Sequence, residues 1–184
     1  QFNQLIARRV RENGVYCQVE PADISIEKIK EMNPVGIILS GGPSSIYEAD
    51  SPSIDASIFD LGIPVLGICY GMHFMVHALG GTIKRAEKRE YGFAELIVKE
   101  EKPIFSGMEP KFQCWMSHGD SILELPDNAT LLATTNSIPI AAFKVEEPGC
   151  HEIFGLQFHP EVYHSAYGKK IIQNFLYTVC GCSG

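Results

Sequence analysis

Apolar side chains along the first half of the chain fall into two alternating rhythms. Phe2, Leu5, Ile6 and Val10 lie three or four positions apart, which predicts a helix from Gln1 to Glu12 with Asn13-Gly14 as its stop. Val15 to Val19 reads as a short strand, and Ser25 to Met32 as a second helix ended by Pro34. Val35 to Leu39 is a continuous apolar run, the pattern of a parallel strand covered on both faces. Ser40-Gly41-Gly42-Pro43 then makes a tight turn, and Ser51-Pro52 supplies the N-cap and first turn of a helix. Pro64 to Ile68 is another buried strand, followed by a helix from Gly71 to Leu79 that Gly80-Gly81 closes.

The second half changes character. Phe93 to Val98, Phe112 to Met116, Thr130 to Thr134, Ile140 to Lys144 and Glu152 to Phe158 read as strands with no long helix between them. Ser165 to Cys180 is a closing helix with Ile171, Ile172, Phe175, Leu176 and Val179 on its apolar face. Alternating strands and helices followed by strands in series predict an α/β fold. Its sheet should be open and mixed, with some antiparallel strands in the second half.

Bulk properties narrow the class. The 184 residues suit one domain, 45% hydrophobic and 20% charged. At this size roughly 70% of the unfolded chain's surface is buried, so no covalent staple is needed. A net charge of −7 without a basic run argues against nucleic acid and anionic membranes as partners. No apolar run approaches the ~18–20 residues of a membrane span. Six cysteines, Cys17, Cys69, Cys114, Cys150, Cys180 and Cys182, follow no secretory signal and form no C-x-x-C pair. Free thiols in a reducing cytoplasm are therefore expected.

The sharpest chemical feature is Pro64-Val65-Leu66-Gly67-Ile68-Cys69-Tyr70-Gly71, a buried strand running into a helix with Cys69 between two glycines. This is a nucleophile elbow with cysteine in place of serine. The turn leaves no room for neighbouring side chains, and the helix that follows points its N–H groups and positive end at the sulfur, favouring thiolate. A buried structural cysteine beside a glycine turn would look the same in this segment alone. A thiolate needs a base, and Phe158-His159-Pro160-Glu161 supplies one. His159 ends a strand, Pro160 bends the chain, and Glu161 can reach back to orient the imidazole. A strand-end histidine with an exposed glutamate is the plainer reading. For an oxyanion hole, the amide of Tyr70 is one candidate donor and Gly42, after the other apolar strand, is the second.

In order and spacing, Ser40-Gly41-Gly42-Pro43, Gly67-Ile68-Cys69-Tyr70-Gly71 and Phe158-His159-Pro160-Glu161 resemble the motifs of class I glutamine amidotransferases. The resemblance covers essentially the whole chain. Finer marks are Ser44-Ser45-Ile46-Tyr47, Met72, Trp115-Met116-Ser117-His118-Gly119-Asp120 and the tail from Asn174 to Gly184. They resemble the branch whose ammonia aminates XMP to GMP. The resemblance implies a flavodoxin-like, mostly parallel mixed sheet flanked by helices. It implies a triad of Cys69, His159 and Glu161, an oxyanion hole from Gly42 and Tyr70, and Ser117, His118 and Gly119 around the amino-acid end of L-glutamine. Cys69 would form a γ-glutamyl thioester and release ammonia, with no cofactor or metal on this domain. ATP and magnesium would belong to a following ATP-pyrophosphatase domain, the implied partner, in a full-length enzyme that could be a homodimer. A glutaminase serving an anthranilate or CTP synthase, and a non-catalytic regulatory module of the same fold, are the alternatives.

Three departures stand out. His73 occupies the position where the family usually carries a substrate-contacting Gln. The chain opens at Gln1, after the point where the family's first central strand would lie, so that strand is expected to be missing. It stops at Gly184 with no Gly-Lys-Ser/Thr loop, so no ATP or XMP site is expected on residues 1–184. His77, Trp115 and the charged run from Lys84 to Glu90 read mainly as packing or solvated surface.

Overall fold

The helix expected at the amino end forms over Asn3–Glu12 (α1) and buries Ile6, Ala7 and Val10. It belongs to a computed structural model that describes residues 3–40, 54–84, 90–101, 103–147, 151–162 and 167–183. The second helix, Ile26–Met32 (α2), is capped by Ser25, whose hydroxyl accepts the Lys28 N–H at 3.1 Å. Asn33 at φ 49° closes it. Both apolar runs become strands, Ile37–Leu39 (β1) and Val65–Ile68 (β2), and Tyr70–Ala78 (α3) follows the second directly. The rest of the chain adds Thr82–Lys84 (β3), Glu90–Val98 (β4), Lys111–His118 (β5), Ser121–Glu124 (β6), Ala129–Thr134 (β7), Ala142–Glu147 (β8) and His151–Leu156 (β9). The closing helix begins as Gly168–Gln173 (α4) and widens into a π turn over Asn174–Val179.

Seven strands form one sheet in the order β1-β2-β9-β8-β7-β4-β5, and β3 pairs with β6 apart from it. The α/β class and mixed sheet are as expected. Among the described residues, however, parallel pairing is confined to β1 with β2 and β2 with β9, while four antiparallel ladders continue the sheet. The parallel share is thus smaller than a mostly parallel sheet. Links such as the one from β7 to β8 are too short for a parallel crossover, which needs a dozen or more residues.

One local expectation fails, and a second falls partly outside the described residues. Val15–Val19 joins no described ladder, and Tyr16 is 82% exposed. A strand exists only through a neighbour, and among the described residues β1 stands at the sheet edge with none beside it. After the helix start expected at Ser51-Pro52, the described chain forms a 3₁₀ turn over Ala56–Asp60 capped by Asp55, whose carboxylate accepts the Ser57 N–H at 2.9 Å. Residues 51–53 lie outside the described ones.

Strand alternation divides the core in two. Leu66, Ile68, Phe154 and Leu156 face one cluster with Ile6, Val10, Ile171 and Phe175. Val65 and Ile153 face the other with Met72, Met75, Ile58 and Phe59. Helices therefore cover both faces where β2 and β9 run side by side, and the carboxyl ends of these two strands open at one edge, where α/β sheets hold their ligands.

Candidate active site

At that edge the chain turns from β2 into α3 at Cys69, whose φ of 51° and ψ of −105° are unusual for a residue with a side chain. Such strain costs of order 1–3 kcal/mol and persists only where the surroundings enforce it. Here they do. The Cys69 N–H donates to the Leu156 carbonyl at 2.8 Å, extending the β2–β9 ladder by one rung, and the His73 N–H donates to the Cys69 carbonyl at 3.0 Å as the first bond of α3. The flanking glycines are required by contact. A Cβ on Gly67 would lie 2.9 Å from the Gly71 carbonyl, and one on Gly71 would collide with the carbonyl of Leu39 at the end of β1. Tyr70 opens α3, and the first amides of a helix point away from its own ladder.

The strand paired with β2 delivers the base. Past Leu156, the carbonyl of Gln157 accepts from the Cys69 thiol at 3.0 Å. Cys69 Sγ lies 3.0 Å from His159 Nε2, and His159 Nδ1 lies 2.9 Å from Glu161 Oε2. All three side chains are buried, Glu161 completely. His159 is held from the other side as well, since its N–H donates to the Trp115 carbonyl at 3.0 Å, next to the bridge between Met116 and Phe158. A carboxylate on Nδ1 fixes the tautomer and leaves Nε2 facing the sulfur. The structure thus brings Cys69, His159 and Glu161 into one hydrogen-bonded series.

The other expected site residues are placed unevenly. Gly42 lies outside the described residues, although Leu39 brings the chain to the elbow just before it. Ser117 and His118 end β5 beside the Met116–Phe158 bridge, with Gly119 next, so this loop adjoins His159. His73 is only 2% exposed, and its Nε2 meets Gln157 Oε1 at 2.8 Å. Gln157 was not singled out from the sequence, yet it touches Cys69 through its carbonyl and His73 through its amide. Nothing in a strand-end glutamine signals that double contact.

The remaining described thiols are unlike Cys69 in their surroundings. Cys17, Cys114, Cys180 and Cys182 are free, and burial pushes each thiol up, Cys114 and Cys180 to about 12. They stay protonated and unreactive near neutral pH.

An α/β sheet that presents thiol, imidazole and carboxylate in series at its strand ends has the layout of a thiol-dependent acyl-transfer enzyme. The comparisons with known proteins carry this to a family. The model of the family Glutamine amidotransferase class-I matches residues 1–179, and the chain belongs to that family. It is 52% identical over 184 residues to the GMP synthase [glutamine-hydrolyzing] of Heliobacterium modesticaldum, and 50% identical over the same length to that of Caldicellulosiruptor saccharolyticus. In both cases all of this chain is covered but only 35% of the relative, so the chain spans about a third of the length of these curated relatives. Among solved structures, a GMP synthase subunit from Thermoplasma acidophilum superposes with a TM-score of 0.85 at 32% identity, covering 98% of this chain and 89% of that one. PurLQS of Thermotoga maritima shares the fold, with a TM-score of 0.71 at 19% identity over 97% of this chain and 93% of that one.

Proposed function

We propose that this chain hydrolyses L-glutamine to glutamate and ammonia through a γ-glutamyl thioester on Cys69. The observation that carries the reading is the buried series Cys69 Sγ to His159 Nε2 at 3.0 Å and His159 Nδ1 to Glu161 Oε2 at 2.9 Å. His159 takes the thiol proton, and the thiolate adds to the side-chain amide carbon of glutamine. Donors at Tyr70 and Gly42 receive the oxyanion. The imidazolium then gives its proton to the departing nitrogen, which leaves as ammonia. In the second half, His159 takes a proton from water. The hydroxide displaces the sulfur, releasing glutamate and restoring the thiol. Glu161 orients the imidazole and balances the imidazolium. The loop from Ser117 to Gly119, together with His73, would hold the substrate, the loop at its amino-acid end.

We further infer that the ammonia serves an ATP-pyrophosphatase domain that uses ATP and magnesium to aminate XMP to GMP, in the cytoplasm. The identities to GMP synthases support this reading. No described helix is long and apolar enough to cross a membrane.

The test is covalent labelling with a diazo-ketone analogue of glutamine, read by intact mass and peptide mapping. One adduct on Cys69, blocked by glutamine and absent from Cys69→Ser, is the expected result. An unlabelled protein, or labelling that glutamine does not protect, contradicts the glutaminase reading. Adding the nucleotide domain with ATP and XMP should raise glutamate release, and an unchanged rate would count against the GMP assignment alone.

A further inference from the structure

We propose that Arg9, on the first helix and far from the elbow in sequence, is a positioning residue for the carboxylate of Glu161. The inference rests on the glutaminase reading above. Arg9 Nε donates to the backbone carbonyl of Glu161 at 2.9 Å, across 152 positions of the chain. The guanidinium is not a loose surface group. Its Nη1 is paired with both carboxylate oxygens of Glu12, at 2.9 and 3.2 Å, and only 21% of the side chain is exposed. The helix beneath it is fixed too. Ile6 and Val10 are buried in the core, the Asn13 amide donates to the Arg9 carbonyl at 2.9 Å, and the Tyr177 hydroxyl of the closing π turn donates to the Asn13 carbonyl.

Glu161 needs such a hold. Its carboxylate reaches Nδ1 of His159 from only two residues away, so its geometry depends on the backbone of the Pro160 turn. That turn is gripped on a second side by α4, where a Cβ on Gly168 would collide with the Pro160 carbonyl. Arg9 and Gly168 therefore clamp consecutive peptide units of the segment that carries the carboxylate. Because Glu12 already neutralises the guanidinium, Arg9 acts through geometry rather than through its charge. Without its bond the carboxylate swings away from Nδ1, the imidazolium loses its counter-charge, and the Cys69 thiolate is favoured less.

The experiment compares Arg9→Met, Arg9→Lys and Glu12→Gln with the unaltered chain. Each is assayed for glutamate release and for the pH dependence of Cys69 alkylation by iodoacetamide. For Arg9→Met the expected result is about a tenfold fall in kcat with KM within about twofold, in keeping with the cost of small misplacements in a catalytic array. The alkylation midpoint should rise by roughly half a pH unit or more, as for a thiolate that loses part of its charge partner. Arg9→Lys keeps packing and charge and should shift both readouts in the same direction but less, and it decides the matter if Arg9→Met does not fold. Glu12→Gln should leave kcat within about twofold. Folded Arg9 variants with unchanged kcat and alkylation profile would overturn the proposal, as would a kcat loss with no shift in the profile or an equal loss in Glu12→Gln. Alkylation needs no substrate. A chain that releases no glutamate therefore refutes the glutaminase reading, while the alkylation profile still decides the role of Arg9.

Discussion

His73 shows what one side chain can change beside the Cys69, His159 and Glu161 series. Gln157 Oε1 can only accept, so the assigned contact has the Nε2–H of His73 donating to it at 2.8 Å. An amide at the same position could donate and accept at once. His73→Gln is therefore expected to keep kcat and change the KM for glutamine several-fold, the scale of one hydrogen bond gained or lost, ~0.5–1.5 kcal/mol. Steady-state glutamate release measures it, and an unaltered KM would show that His73 does not face the substrate. Cys69, His159 and Glu161 were all legible in the sequence because each sits in a short local motif whose glycines or proline announce a turn. Gln157 and Arg9 were not, because their contacts join elements far apart in the chain and an ordinary glutamine or helical arginine carries no local mark of its partner.

Among the elements, the elbow depends on how closely β1, β2 and α3 approach one another. A Cβ on Gly71 would overlap the Leu39 carbonyl, and β1 cannot retreat without breaking its ladder with β2. Gly71→Ala should therefore lower stability by ~1–3 kcal/mol, the usual range for overpacking, and reduce labelling of Cys69 by the glutamine analogue. Gly92 in β4 has open space at the same atom, so Gly92→Ala should be nearly neutral. Urea midpoints of the two variants compare them, and equal midpoints would contradict the contact argument. The apolar runs of β1 and β2 were readable because a strand buried on both faces has no polar positions. The segment Val15–Val19 was misread for the complementary reason, since its alternation suits a strand but pairing requires a neighbour. The short strands β3 and β6 escaped notice because three or four residues are too few to show a period.

For the whole molecule, the buried thiols tie stability to pH. Cys114 and Cys180 have their pKa raised from 9.0 to about 12 by burial, with Cys182 adding to the effect on Cys180. A group whose pKa is higher folded than unfolded stabilises the fold below its unfolded value. That contribution is present below about pH 9 and is lost as pH rises towards 12. Urea midpoints should thus fall between pH 8 and pH 10.5, and fall less in the Cys114→Ala, Cys180→Ala double variant; parallel slopes would show that other groups carry the effect. Taken by itself, the sequence determined the alternation of strands and helices, the elbow at Cys69 and the pairing of His159 with Glu161, because each follows from sterics and hydrogen bonding within a few residues. Only the tertiary structure decided that β9 lies parallel beside β2, which brings Gln157 within reach of a thiol 88 positions away. It alone set β1 at the edge of the described sheet and laid α1 against the Pro160 turn. Those choices come from burying two apolar clusters on opposite faces of one sheet, a condition that belongs to the whole chain and to no segment of it.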